Sequence, residues 1–90
     1  MRQYTITNRF EKDVERAKKR NWDISKLFNI IQLLCNENPI PNQYRNHRLK
    51  GKYSSYYDIH VESDWILIYY FTDGWVHLVR TGSYSDLFGR

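Results

Sequence analysis

Ninety residues with 41% hydrophobic content are enough for one small domain and too few for a second core. Fourteen Lys and Arg against ten Asp and Glu leave a net charge of +4, a field that favours nucleic acid or an acidic protein partner without establishing either. The lone Cys35 excludes an internal disulfide framework, MRQYTITNRF lacks the apolar core of a signal peptide, and no apolar run is long enough to cross a bilayer. The expectation is a cytoplasmic protein, free of membrane, formed as a single domain over residues 1–90.

Residues 4–7, Tyr-Thr-Ile-Thr, fit a short first strand. Asn8, with Glu11 three positions on, has the form of a capping box and predicts a helix over 9–20 with Phe10, Val14 and Ala17 on its inner face. Basic residues crowd its last turn as Lys18-Lys19-Arg20. They either complement the helix dipole or meet a polyanion. Asp23 or Ser25 can cap a second helix. Its apolar positions Ile24, Leu27, Phe28, Ile31, Leu34 and Cys35 recur at three and four, the spacing of a buried stripe. The short link between the two helices predicts an antiparallel hairpin. NENPIPNQ, with two prolines in three positions, ends the second helix in extended chain.

From Tyr53 the period changes to two. Strands are predicted over 53–61, 65–71 and 75–82, the last two joined by the tight turn Thr72-Asp73-Gly74. The order β-α-α-β-β-β, then a short tail, predicts an α+β fold in two layers: a helical hairpin on a mostly antiparallel four-stranded sheet.

Polar residues gather around the sheet. A loop supplies His47, Arg48, Lys50 and Lys52, and the second strand supplies Asp58 and His60, two apart and so on one face. Glu62 and Asp64 lie at the turn, and the chain closes with Arg80, Ser83, Tyr84 and Phe88. In a meander His60, Asp64 and Arg80 converge at one edge. Such a set matches metal-free RNA cleavage, in which a base takes the 2′-hydroxyl proton, a cation stabilises the phosphorane and an acid protonates the departing 5′-oxygen. Histidine suits the proton transfers and arginine the phosphate. Phe88 or Tyr84 can stack on an exposed base, worth ~1–3 kcal/mol. The same groups admit quieter roles: Asp64 as a turn residue bonding its own backbone, Arg80 as the ion-pair partner of Asp58 or Glu62. His77 lies in an alternating strand with nothing polar beside it. The three histidines have no ligand-like spacing in sequence, and no Cys pair or glycine-rich phosphate loop is present, so neither a metal nor a cofactor is expected.

Taken together, Asn46-His47-Arg48-Leu49-Lys50-Gly51, the run from Tyr57 to Tyr69 around His60-Val61-Glu62-Ser63-Asp64-Trp65, and Arg80-Thr81-Gly82-Ser83-Tyr84-Ser85-Asp86-Leu87-Phe88 resemble the YafQ-like branch of the RelE superfamily. These are toxins of type II toxin–antitoxin pairs. The resemblance implies an endoribonuclease that cuts mRNA in the A site of the 70S ribosome. It also implies an antitoxin of the DinJ/RelB type that masks the toxin and carries the complex to operator DNA. By position His47, His60, Asp64, Arg80 and Phe88 match the family's functional residues, with Asp58 supporting the histidine region. The site expected here is His47, His60, Asp64, Arg80 and Tyr84 as catalytic groups, with Lys50, Lys52, Trp65 and Phe88 contacting RNA. Two positions depart from the family pattern. Ser63 replaces a proline, and Tyr84 replaces a histidine assigned to acid–base work. Tyrosine ionises only near pH ~10 in water and is a poor base at neutrality, though it can donate a proton or stack. The alternative reading is a catalytically weakened homologue that only binds antitoxin or RNA.

Overall fold

The computed structural model describes residues 1–51 and 55–89. Strand β1 (Gln3–Ile6) leads into helix α1 (Asn8–Lys19) and helix α2 (Ile24–Cys35). A 3-10 turn (Asn42–Tyr44) follows, then β2 (His47–Arg48), β3 (Tyr57–Glu62), β4 (Trp65–Thr72), β5 (Trp75–Gly82) and a short helix α3 (Tyr84–Phe88). The sheet order is β1-β5-β4-β3-β2; β1 runs parallel to β5 and every other neighbour is antiparallel. The α+β expectation holds, with five strands rather than four. The extra one, β2, is two residues long and has too little alternation to be read. The expected tail is α3. The predicted start of β3 falls partly on residues 53 and 54, outside the described residues.

Local chemistry sets the helix ends. Thr7, not Asn8, is the N-cap of α1: its hydroxyl accepts the Phe10 N–H at 2.9 Å and donates to the Val79 carbonyl at 2.7 Å, so one side chain starts the helix and ties it to β5. Asp23 caps α2 by accepting the Ser25 N–H at 3.1 Å. Both helices end in Schellman motifs, with Asn21 (φ 61°) and Glu37 (φ 59°) in the left-handed conformation. The closing bonds run from Trp22 N–H to Ala17 and from Asn38 N–H to Leu33.

The core fills the space between the helices and one sheet face. Phe10, Leu27, Ile30 and Leu34 meet Ile59, Val61, Trp65, Leu67, Tyr69, Val76 and Leu78. Phe28, expected inside, is half exposed and Ile30 is buried in its place, because the inner face of α2 runs 27–30–31–34. Burial pushes the Tyr69 phenol up, although its hydroxyl donates to Asn46 Oδ1 at 2.6 Å. Among the described residues no helix is long and apolar enough to cross a membrane.

A bulge in β5 leaves Val79 without a partner between the Ile68–Arg80 and Tyr69–Leu78 pairs. Strand β1 stops opposite Leu78, so the edge of β5 beyond it is uncovered by strand. The Asp13 carboxylate of α1 fills that gap: Oδ2 accepts the Thr81 N–H at 3.1 Å, and the two oxygens hold the Arg80 guanidinium at 2.7 and 3.1 Å.

Candidate active site

Strand alternation turns Ile59 and Val61 toward the helices and Asp58 and His60 toward the opposite face. Pairing of β2 with β3 sets His47 directly opposite Asp58. His47 Nδ1 then lies 3.5 Å from Asp58 Oδ1, and the His47 and His60 rings are 6.3 Å apart at their centroids, edge to face. Asp58 is buried and its Oδ1 makes no hydrogen bond within the described residues. A buried acceptor left open in this way is free to take a donor from the neighbouring imidazole, from water or from a ligand.

The turn after β3 brings in the C-terminus. Asp64 Oδ1 accepts the backbone N–H of Tyr84 at 3.0 Å, fixing the first residue of α3. The Tyr84 hydroxyl stands 3.4 Å from His60 Nε2, and its ring lies 5.9 Å from that of Phe88, one turn along. His47, Asp58, His60 and Tyr84 therefore form one cluster, with Asp64 beneath it and Phe88 beside it. Leu87 and Phe88 border a hollow of about 90 Å³ with Leu49, Tyr56, Ile68, Val79 and Arg80. Arg80 borders this hollow with Phe88, and its Nε and Nη2 are held on Asp13. The Asp13 hydrogen bonds push the Arg80 guanidinium up, so it stays charged. Neither Asp58 nor Glu62 pairs with it; Glu62 takes Lys26 instead.

Several expectations change here. Trp65 is no RNA contact. It is the first core-facing residue of β4, with its ring 4.9 Å from Trp22 and its Nε1–H donated to the Thr81 hydroxyl at 2.9 Å. His77 has polar neighbours after all: its ring nitrogens lie 2.7 and 2.6 Å from the Thr5 and Thr72 hydroxyls, and Tyr70 stacks on it. Lys50 is exposed near the cluster in sequence, and Lys52 lies outside the described residues. Despite their sequence spacing, His47, Asp58 and His60 bring one ligand atom each to within 4.8 Å. Two imidazoles and a carboxylate suit zinc or copper better than magnesium.

Sequence reasoning missed Asp13 and Asp86. Asp13 is three residues from Phe10 and four from Ala17, hence on the buried face of α1, and a carboxylate at such a position signals an ion pair. Asp86 completes Ser83-x-x-Asp86, a capping box in which both reciprocal bonds form. It also takes the Arg20 guanidinium through two bonds, 2.7 and 3.0 Å. Part of the basic run at the end of α1 is thereby spent inside the protein.

The Arg20 hydrogen bonds, with help from Ser83 and against some burial, hold the Asp86 carboxyl well below the usual carboxylate range. In the unfolded chain Asp86 binds a proton near pH ~4, whereas the folded form resists it to lower pH. The stabilisation is complete above that value and is lost as pH falls below it. Asp86→Asn is expected to flatten the loss of stability between about pH 4 and pH 2 in urea melts. A slope equal to that of the unsubstituted protein contradicts this assignment.

Residues 2–89 match the family model described as the bacterial toxin of type II toxin–antitoxin system, YafQ. The chain is 43% identical over 89 residues to the mRNA interferase toxin YafQ of Escherichia coli K12, covering 98% of this chain and 97% of the relative. It belongs to the YafQ toxin family.

The fold agrees throughout. The YafQ chain in a crystal structure of the E. coli DinJ–YafQ complex matches with a TM-score of 0.91 at 42% identity, over 99% of this chain and all of that one. A structure described as a metal-bound toxin from Helicobacter pylori matches with a TM-score of 0.92 at 30% identity, over 98% of this chain and all of that one. The resemblance seen in three sequence motifs is borne out. Within this YafQ fold the departure at position 84 is also given a place: Tyr84 begins α3 with its hydroxyl facing His60.

Proposed function

We propose that this YafQ-family protein is the toxin of a type II toxin–antitoxin pair, a ribosome-dependent endoribonuclease that cleaves mRNA during translation. What carries this reading is the cluster of two imidazoles and a phenol around the open carboxylate of Asp58, on a chain 43% identical to an mRNA interferase. In the proposed reaction His60 accepts the 2′-hydroxyl proton as that oxygen attacks phosphorus. Arg80 and the loop lysines Lys50 and Lys52 stabilise the charge on the phosphorane. The bond to the 5′-oxygen then breaks, and Tyr84 or protonated His47 supplies the proton to that leaving group. The products are a 2′,3′-cyclic phosphate, which water can open to a 3′-phosphate, and a 5′-hydroxyl. Asp58 orients His47, Asp64 fixes Tyr84, and Phe88 stacks on a neighbouring base. None of these steps calls for a metal.

The partners follow the same reading. A DinJ-like antitoxin covers the site and bridges the complex to operator DNA, and the free toxin works in the cytoplasm at the A site of the 70S ribosome. Expression of the toxin is expected to arrest growth and produce codon-phased cuts in translated messages by primer extension. Co-expression of the antitoxin should abolish both. Arrest with DNA breaks and intact messages overturns the proposal, as does normal growth with intact messages, which supports a weakened binding homologue.

A further inference from the structure

We propose that Arg20 and Asp86 are positioning residues for the cleavage reaction, their bidentate pair fixing α3 so that the Tyr84 hydroxyl meets His60. This rests on the reading of His60 and Tyr84 as reacting groups. Helix α3 has five residues, too few to hold an orientation through its own hydrogen bonds. Its direction is therefore set by attachments. Asp64 holds the N–H of its first residue, and Leu87 and Phe88 border a hollow shared with Ile68 and Val79. Asp86, its third residue, is held hardest. Arg20 grips both oxygens, Oδ2 accepts the Ser83 N–H at 2.9 Å, and Arg16 Nε lies 3.9 Å away. Gly82 admits this approach: at φ 155° it has no Cβ, and one placed there would meet the Asp86 side chain at 2.9 Å.

The other end of the clamp is equally constrained. Arg20 is the C-cap of α1, locked by the Schellman closure that follows it, and its guanidinium lies 5.3 Å from the Trp22 ring. Trp22 packs on Trp65 in the core. The chain of contacts runs from the buried sheet face through Trp22, Arg20 and Asp86 to the residue that faces His60 on the opposite side. At 3.4 Å the Tyr84–His60 contact sits at the outer limit of a hydrogen bond, so a small tilt of α3 decides whether the Tyr84 hydroxyl stands beside the proton acceptor of the proposed reaction. A misplacement of about 1 Å can cost on the order of a hundredfold in rate.

The test is single-turnover cleavage of mRNA on programmed ribosomes. Arg20→Ala and Asp86→Asn are each expected to lower the maximal rate about tenfold, with the half-saturating toxin concentration changed less than about twofold. Arg20→Lys, which keeps the charge without the fork, should recover part of the loss. In a Tyr84→Phe background neither substitution should lower the rate further, because the clamp acts through that hydroxyl. A structural ion pair alone would shift the melting temperature and add its effect equally in both backgrounds. The proposal is overturned by an unchanged rate in Arg20→Ala, or by a loss that persists in full with Tyr84→Phe. His60→Ala run in parallel separates the two failures: cleavage surviving there overturns the reading of the site itself.

Discussion

His60→Ala is expected to slow message cleavage by about 10²–10⁴-fold while leaving the fold intact. The side chain is half-buried on the sheet face opposite the core, and its polar neighbour is the Tyr84 hydroxyl. It also borders an open, water-accessible hollow with Gln43, Tyr44, Arg45 and Glu62. Removing it therefore leaves no buried void and strands no buried partner, so the stability change should stay within about 1 kcal/mol. Rate and stability are thus separable at this position, through single-turnover cleavage and a urea melt of the same preparation. Cleavage within threefold of the unsubstituted rate would mean that the proton acceptor is another group, with His47 next in line.

Asp13→Ala is expected to show the reverse pattern, a loss of about 3–5 kcal/mol in folding stability. The carboxylate is 4% exposed and accepts from Arg80 twice, from Arg16 at 2.5 Å and from the Thr81 N–H. Its removal strands an arginine whose side chain is only 17% exposed and leaves a buried backbone donor unpaired. Asp13→Asn, which keeps an acceptor for Thr81, should cost less. Asp13→Leu combined with Arg80→Met should regain part of the stability, because replacing a whole buried pair is cheaper than breaking it. Chemical denaturation decides the matter; a cost below about 1 kcal/mol for Asp13→Ala would show that water replaces the carboxylate.

Much of this architecture was legible because it is periodic. The run from Trp65 to Thr72 and the alternation from Trp75 declare β4 and β5 within a residue of their ends, and the three- and four-residue spacing in α2 announces its buried face. The candidate cluster was half legible: Asp58 and His60 share a face by strand period alone, but His47 joins them only through a two-residue strand. Trp65 was misassigned for a related reason. It follows Asp64 in the chain, yet Asp64 is in the turn and Trp65 is the first residue committed to the core face. What stayed hidden are pairings that period cannot express. Asp13 with Arg80 and Arg20 with Asp86 join residues 67 and 66 positions apart, and a charge on a helix gives no address for its partner.

Those same pairings, together with the parallel β1–β5 register that sets Gln3 beside Trp75, give the molecule a direction in time. The register partners of β1, Arg80 for Asp13 and Asp86 for Arg20 all lie in residues 75–86. Contacts of such long sequence separation form late, and on a growing chain they cannot form until the segment from Trp75 to Phe88 has emerged. Tyr84 and Phe88 belong to that segment. A nascent chain therefore holds His47 and His60 without their Tyr84 and Phe88 neighbours until residues 84–88 have cleared the ribosome, so synthesis itself delays the assembly of the site.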